Sequence, residues 1–466
     1  MKQIIVYFAC LYLLINNVCY AAQLNVSIDE RFELTSIVFR LAGAQEYMSG
    51  CVPEYTKRID TYFANHSHHQ VVKFIQDLRK DSSLNVGYTV AASSAFLFDI
   101  QDSKFIKNDN RPSNEILRCW KYADIVKYLC LLEQFYYDTE FEKFWNDQIT
   151  LRQEALMSAI SFTKCINMEW FDSFFYTQVP DIEMIVGMAI GRNNYAIPNY
   201  LSVQNKNAVI IGCNAETNGI PIINEFGKNE LLHEICHCYG NIIINEFEKE
   251  YIQSFSKIYP SISYITAQHG YGDTFPENAA GESLNELFAI SYLIENKDQW
   301  VMYKIASSEE MGYIWMSDLV RFMKNFFNQR DIYSSIIDFM PQLVAYYNEL
   351  PDRWNSLLKK FEAKTPYVAS TYPAKNSIVS DDLKEIRIRL SQPVISALGV
   401  DPVENTEPIH IGKFRRSKDH KTLIIPIESN LEKGKTYGIQ LFAPMIISED
   451  TYHRATENYQ LIFKVK

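Results

Sequence analysis

Residues 233–237 read His-Glu-Ile-Cys-His, and no other stretch restricts the chain as much. Two His four residues apart share one face of an α-helix, about one turn apart. Leu231, Leu232, Ile235, Cys236, Cys238 and Tyr239 around them are all uncharged. A helix so bare of charge has to be covered on most sides, so the chain must build a core around it. The composition permits one. Hydrophobic residues make up 47% and charged residues 22% of the 466 positions, which excludes wholesale disorder. The length corresponds to two or three domains. A formal net charge of −11, with no basic cluster, speaks against nucleic acid or an anionic membrane as a standing partner.

Paired imidazoles at this spacing can share one Zn²⁺ at ~2.0–2.1 Å each. Glu234 projects beside them and can take the proton of a zinc-activated water. His233, Glu234 and His237 are therefore the expected ligand, general base and ligand. Their pattern runs on to Gly240 but places Ile243 where a metzincin has its third ligand. Further along, Gly281-Glu282-Ser283-Leu284-Asn285-Glu286 opens a helical run, and its Asn285-Glu286 pair resembles that of thermolysin-like gluzincins. The resemblance implies Glu286 as the third ligand. Glu282, one turn earlier on the same face, is the alternative. The chain departs from thermolysin at Ile290, where that family has an Asp that orients the first His, so His233 needs another supporting partner. Tyr264, His269 and Tyr271 are candidates to stabilise an oxyanion. His66, His68 and His69 read as a solvated helix start. No phosphate-binding loop, dinucleotide fingerprint or nucleophile elbow is present.

Residues 1–22 carry Lys2, an uncharged and mostly apolar run from Ile4 to Ile15, and small residues at Ala21-Ala22. This is the pattern of a secretory signal, and the run is short for a bilayer span of ~20 residues. Export would leave the mature protein periplasmic, surface-bound or released. Cys51, Cys119, Cys130, Cys165, Cys213, Cys236 and Cys238 then remain, an odd and sparse set that is no disulfide framework.

Helical spacing appears at Glu30–Leu41 and Gln70–Leu78, and over two or three helices between Ile116 and about Lys164. Met184–Ile190 and Ala208–Cys213 read as buried strands. Asn229–Tyr239 reads as a helix stopped by Gly240-Asn241, and more helix is expected at Ala280–Asn296 and Met316–Asn325. From about 366, period-two runs such as Glu385–Leu390 and Tyr459–Val465 indicate an antiparallel β module.

That last segment, with PYVASTYPAKNSIV, EIRIRLSQPV and LEKGKTYGIQL, resembles a bacterial immunoglobulin-like domain, which implies a spacer or docking unit for a surface protein or glycan. FELTSIVFRLAGAQEY, NHSHHQVVKFIQDL and ELLHEICHCYGN resemble a family of secreted bacterial HExxH proteins filed among domains of unknown function, over about 24–360. The expectation is thus an α+β fold. It comprises a signal peptide at 1–22, a zincin-like, mostly helical metallopeptidase domain with a small sheet at 23–362, and an all-β immunoglobulin-like sandwich at 366–466. The expected activity is zinc-dependent hydrolysis of peptide or protein substrates. A non-catalytic relic of that fold, binding a surface partner, is the alternative.

Overall fold

The computed structural model describes residues 24–48, 51–80, 94–107, 125–177, 179, 181–201, 206–268, 275–395 and 399–466. The expected signal segment lies outside them. The architecture is α+β, with a largely helical first part and a β-rich end. Contacts divide the chain into two compact units. One takes the residues up to Asn245 with Arg330–Asp338, the other Glu246–Gln329 with Phe339–Lys466.

The first unit opens with strand β1 (Leu24–Ser27) and helix α1 (Glu30–Leu41). Asp29 caps α1 by accepting from the Arg31 amide. Helices α2 (Pro53–Tyr62) and α3 (Gln70–Lys80) follow, then a hairpin of β2 (Phe98–Gln101) and β3 (Lys104–Lys107). The long apolar tract yields three helices, α4 (Ile125–Asp138), α5 (Phe141–Asp147) and α6 (Ile149–Thr163), and α7 covers Met168–Phe175. Aromatics of that tract pack on Phe63, just after α2, which lies 5.0 Å from Phe144 and 5.7 Å from Phe135, ring centre to centre.

The sheet joins β4 (Ile182–Gly187), β5 (Asn194–Leu201) and β6 (Lys206–Gly212) to β1 in the order β1-β4-β6-β5. Pairs β1–β4 and β4–β6 are parallel, whereas β5 is an antiparallel edge. The sequence hides β5, because Asn194-Tyr195 and Asn199-Tyr200 read as loop and Pro198 lacks an amide donor. Its pairing slips between Ile197 and Leu201, around that proline, and an edge strand tolerates this. A small hairpin, β7 (Ala215–Thr217) with β8 (Ile220–Ile222), leads to helix α8 (Glu225–Ile258). The expected stop at Gly240-Asn241 does not occur. One internal Gly costs about 1 kcal/mol, and buried Ile243, Ile244, Tyr251, Phe255 and Ile258 beyond it outweigh that.

Glu33 sits inside this unit with no solvent exposure. One of its oxygens accepts from the amides of Met188 and Ala189 at 2.7 and 3.2 Å, and the other from the Tyr55 hydroxyl at 2.8 Å. Burial outweighs those bonds and pushes the carboxyl from 4.5 up to about 7. Between these values the folded chain keeps a proton that the unfolded chain has released, so stability falls as pH rises through that window. Glu33→Gln keeps an acceptor for the amides and removes the titration. The wild type should therefore lose several degrees of melting temperature relative to the variant between pH 5 and 8. Parallel melting curves across that range would refute this role for Glu33.

The second unit contains α9 (Ser263–Gln268), α10 (Pro276–Glu295), α11 (Val301–Glu310), α12 (Met316–Phe322), α13 (Lys324–Phe327) and most of α14 (Ile336–Lys364). Its β-rich end has two four-stranded sheets and a two-stranded ribbon of β12 (Val394–Ile395) with β17 (Ile447–Ser448). One has the order β14 (Arg415–Arg416), β15 (Thr422–Pro426), β11 (Glu385–Leu390), β9 (Val368–Tyr372). The other runs β10 (Ser377–Val379), β18 (Tyr459–Val465), β16 (Thr436–Leu441), β13 (Val400–Pro402). The alternating residues Ile386, Ile388, Leu390, Leu423, Ile425, Ile439, Leu441, Leu461, Phe463 and Val465 form one core. One pair departs from the antiparallel expectation, since β10 runs parallel to β18. Helices and β end are tied within this unit. Glu309 of α11 bonds His453 at 2.6 Å and Lys364 at 2.7 Å, and Glu310 bonds Arg454 at 3.0 Å. No helix among the described residues is long and apolar enough to cross a membrane.

Candidate metal centre

Helix α8 starts from a fixed point. Asn224 accepts from the Phe226 amide at 3.0 Å, as a capping side chain does. Asn224 is itself pinned by Asn214, just after β6, through bonds of 2.9 and 2.8 Å. A Cβ at Gly227 would lie 2.4 Å from Ile223 and 3.2 Å from the Asn214 amide, so only glycine lets the helix begin this close. Two residues past His237, Tyr239 stacks on Phe171 and Phe175 of α7 at 5.5 and 5.3 Å, and its hydroxyl donates to Asp172 at 2.8 Å. The HExxH segment is thus held at its start by the strand-to-helix turn and at its end by α7.

The two imidazoles converge, with Nε2 of His233 3.0 Å from Nε2 of His237. Nitrogens bound to one tetrahedral zinc would stand ~3.3 Å apart, so the pair needs to open only by tenths of an ångström. Nδ1 of His237 lies 3.1 Å from Oδ1 of Asn241. An amide oxygen only accepts, so the proton sits on Nδ1 and the Nε2 lone pair is left for a metal. Asn241 is therefore a supporting residue that the sequence reading took for a helix stop. Its signal was present as a third polar residue at four-residue spacing after His233 and His237. Glu234, between the two His, is 6% exposed.

His233, His237 and Glu282 each offer one ligand atom, and all three atoms lie within 4.8 Å of one another. Two neutral nitrogens and one carboxylate are the donor set of a catalytic zinc site. Among the described residues, this is the group of His, Cys, Asp and Glu side chains close enough to hold an ion. Cys236, Cys238 and the His66-His68-His69 trio do not join it.

Glu286, the residue favoured by the Asn-Glu resemblance, is otherwise engaged. It is buried on α10 with one oxygen 2.9 Å from Lys304 Nζ and the other 2.5 Å from Ser308 Oγ. Both partners come from α11, 18 and 22 residues away, and nothing near Glu286 in the sequence announces them. Glu282 lies one turn earlier and is half-buried. Tyr264 is on α9 and 63% exposed, while His269 and Tyr271 lie outside the described residues.

These features define an α+β protein with a His-His-carboxylate group centred on a buried helix. Residues 24–346 match the family described as Domain of unknown function (DUF4932), and the chain belongs to that family. No curated protein matches. Among solved structures, the S-layer protein rSbsC(31-844) is similar at 14% identity over 50% of this chain and 33% of that one, with a TM-score of 0.20. Surface layer protein SbsC, domains 1-6, is similar at 11% identity over 82% of this chain and 45% of that one, also at 0.20. The chain thus spans less than half the length of either, and likenesses at that score carry no argument about fold or role.

Proposed function

We propose that this is an exported zinc-dependent peptidase, in which His233, His237 and Glu282 hold the metal and Glu234 is the general base. The reading rests on one observation: three converging donors of the right kind, with a carboxylate placed between the two His on their own helix. Bound there, zinc would supply Lewis acidity to water and to the scissile carbonyl. Glu234 would take the proton of the attacking water and pass it to the leaving amine. Asn241 would keep His237 in the tautomer that binds metal. The catalytic part is proposed to be zincin-like and the β-rich end immunoglobulin-like, the latter serving as a spacer or as a dock for a surface protein or glycan.

Purified full chain should bind one zinc and cleave members of a mixed peptide library. Chelator should stop the cleavage and added zinc restore it, with new termini read by mass spectrometry. His237→Ala should lower zinc affinity at least 100-fold and end cleavage. A chain that holds zinc but cleaves nothing would favour the binding-protein reading. A chain that takes no zinc would remove the metal site altogether.

A further inference from the structure

A cavity of about 340 Å³ opens in the second unit between helix α12 and the last turns of α14. Pockets for small ligands usually run to ~300–1,000 Å³, so one small molecule fits. Ile314 and Leu357, both buried, give it an apolar wall. The rest of the lining is polar, and two of its side chains, Arg321 and Lys360, are 64% and 50% exposed. The cavity is therefore reached from solvent.

The hydrogen-bonding capacity of this lining is one-sided. Its two carboxylates are already served. Glu309 bonds His453, Lys364 and the Ser317 amide. Asp318 takes Arg353 and, at 3.1 Å, the Tyr346 hydroxyl on Oδ2. Its Oδ1 is shared by Lys360 at 3.3 Å and Arg321 at 3.5 Å. Both distances exceed the ~2.7–2.9 Å of a tight charge-assisted bond. An ammonium carries three N–H groups and a guanidinium five, so one loosely shared oxygen leaves most of them to other acceptors. Lys364 donates to Glu309 and also to Ser317 Oγ at 2.7 Å. Ser317 Oγ accepts there, so its own hydrogen is left to donate elsewhere.

What the cavity offers a guest is thus a hydroxyl, an ammonium and a guanidinium, all donors. Charge agrees with this. Three cations, Arg321, Lys360 and Lys364, line the cavity against two carboxylates, Glu309 and Asp318, which leaves one positive charge. That excess stands out in a chain of formal net charge −11. A single negative charge matches it, and a bare inorganic anion would leave the apolar wall and most of the volume unused.

We propose that this cavity binds a small organic carboxylate. The carboxylate oxygens take Ser317, Lys360 and Arg321, whose planar fork suits that geometry. The aliphatic body lies against Ile314 and Leu357. The site shares no residue with the proposed metal centre and does not depend on peptidase activity.

The test titrates the full chain with acetate, butyrate and hexanoate, with hexanamide, and with inorganic phosphate, by ligand-detected nuclear magnetic resonance. Wild type is compared with Lys360→Gln, Arg321→Gln and a control, Lys80→Gln, at an exposed lysine that does not line the cavity. Affinity should rise from acetate to hexanoate as more apolar surface is covered. Hexanamide and phosphate should bind about 10-fold more weakly than hexanoate, or less still. Lys360→Gln and Arg321→Gln should each weaken hexanoate about 10-fold, and Lys80→Gln should leave it unchanged. Both cavity variants should melt as wild type does, because exposed ion pairs contribute little to stability. Absence of binding by every carboxylate, or equal binding by wild type and both cavity variants, would overturn the proposal. Phosphate or hexanamide bound as tightly as hexanoate would overturn the assignment of a carboxylate.

Discussion

Glu234→Gln should lower peptide hydrolysis about 1,000-fold or more while leaving zinc bound. The amide has the shape of the carboxylate but cannot take a proton, and general acid–base catalysis typically contributes 10²–10⁴-fold. The proposed metal donors lie elsewhere, on His233, His237 and Glu282, so metal content should stay at one ion per chain. The control follows from this: a variant that loses zinc has failed for another reason. Peptide cleavage at wild-type rate by zinc-loaded Glu234→Gln would disprove its assignment as the base.

The second large effect concerns stability. Glu309 is buried, and it accepts from His453, Lys364 and the Ser317 amide at 2.6, 2.7 and 2.9 Å. Burial by itself would raise its carboxyl. The His453 bond and the Lys364 charge outweigh burial and hold it below its ordinary range. Such a group stabilises the fold above its unfolded pKa, and the contribution disappears as pH falls through the lower folded value. Glu309→Ala leaves Lys364 and His453 facing an apolar methyl. Breaking a buried ionic cluster on one side costs about 3–5 kcal/mol, which is ~10 °C in a unit of this size. The second unit should melt earlier by that margin at neutral pH, and the gap should narrow toward pH 3. A loss under 1 kcal/mol in urea titrations would show that the cluster contributes little.

How much of this is legible in the sequence depends on how far apart the interacting residues lie. The paired His and the β-rich end are read from local periodicity, four residues in one case and two in the other, so one segment suffices. The length of α8 is not, because Gly240-Asn241 argues for a stop, whereas buried residues from Ile243 to Ile258 continue the helix. The choice between Glu282 and Glu286 is not local either. Both occupy one helix face a turn apart, and Lys304 and Ser308 from another helix engage the second of them. Strand β5 is masked by its proline and asparagines, and its place at the sheet edge makes them acceptable.

The pairing of β1 with β4 bears on the order in which the chain can assemble. Leu24–Ser27 lies parallel to Ile182–Ile185, and Glu33 reaches Met188, 155 residues on. A ribosome makes the chain from its amino side, so Leu24–Ser27 waits for partners that emerge later. The closing of so long a loop is slow compared with local helix formation. An unpaired strand and a lone carboxylate therefore wait while some 155 further residues are made. Holding proteins that bind extended segments would find a site there until β4 is made.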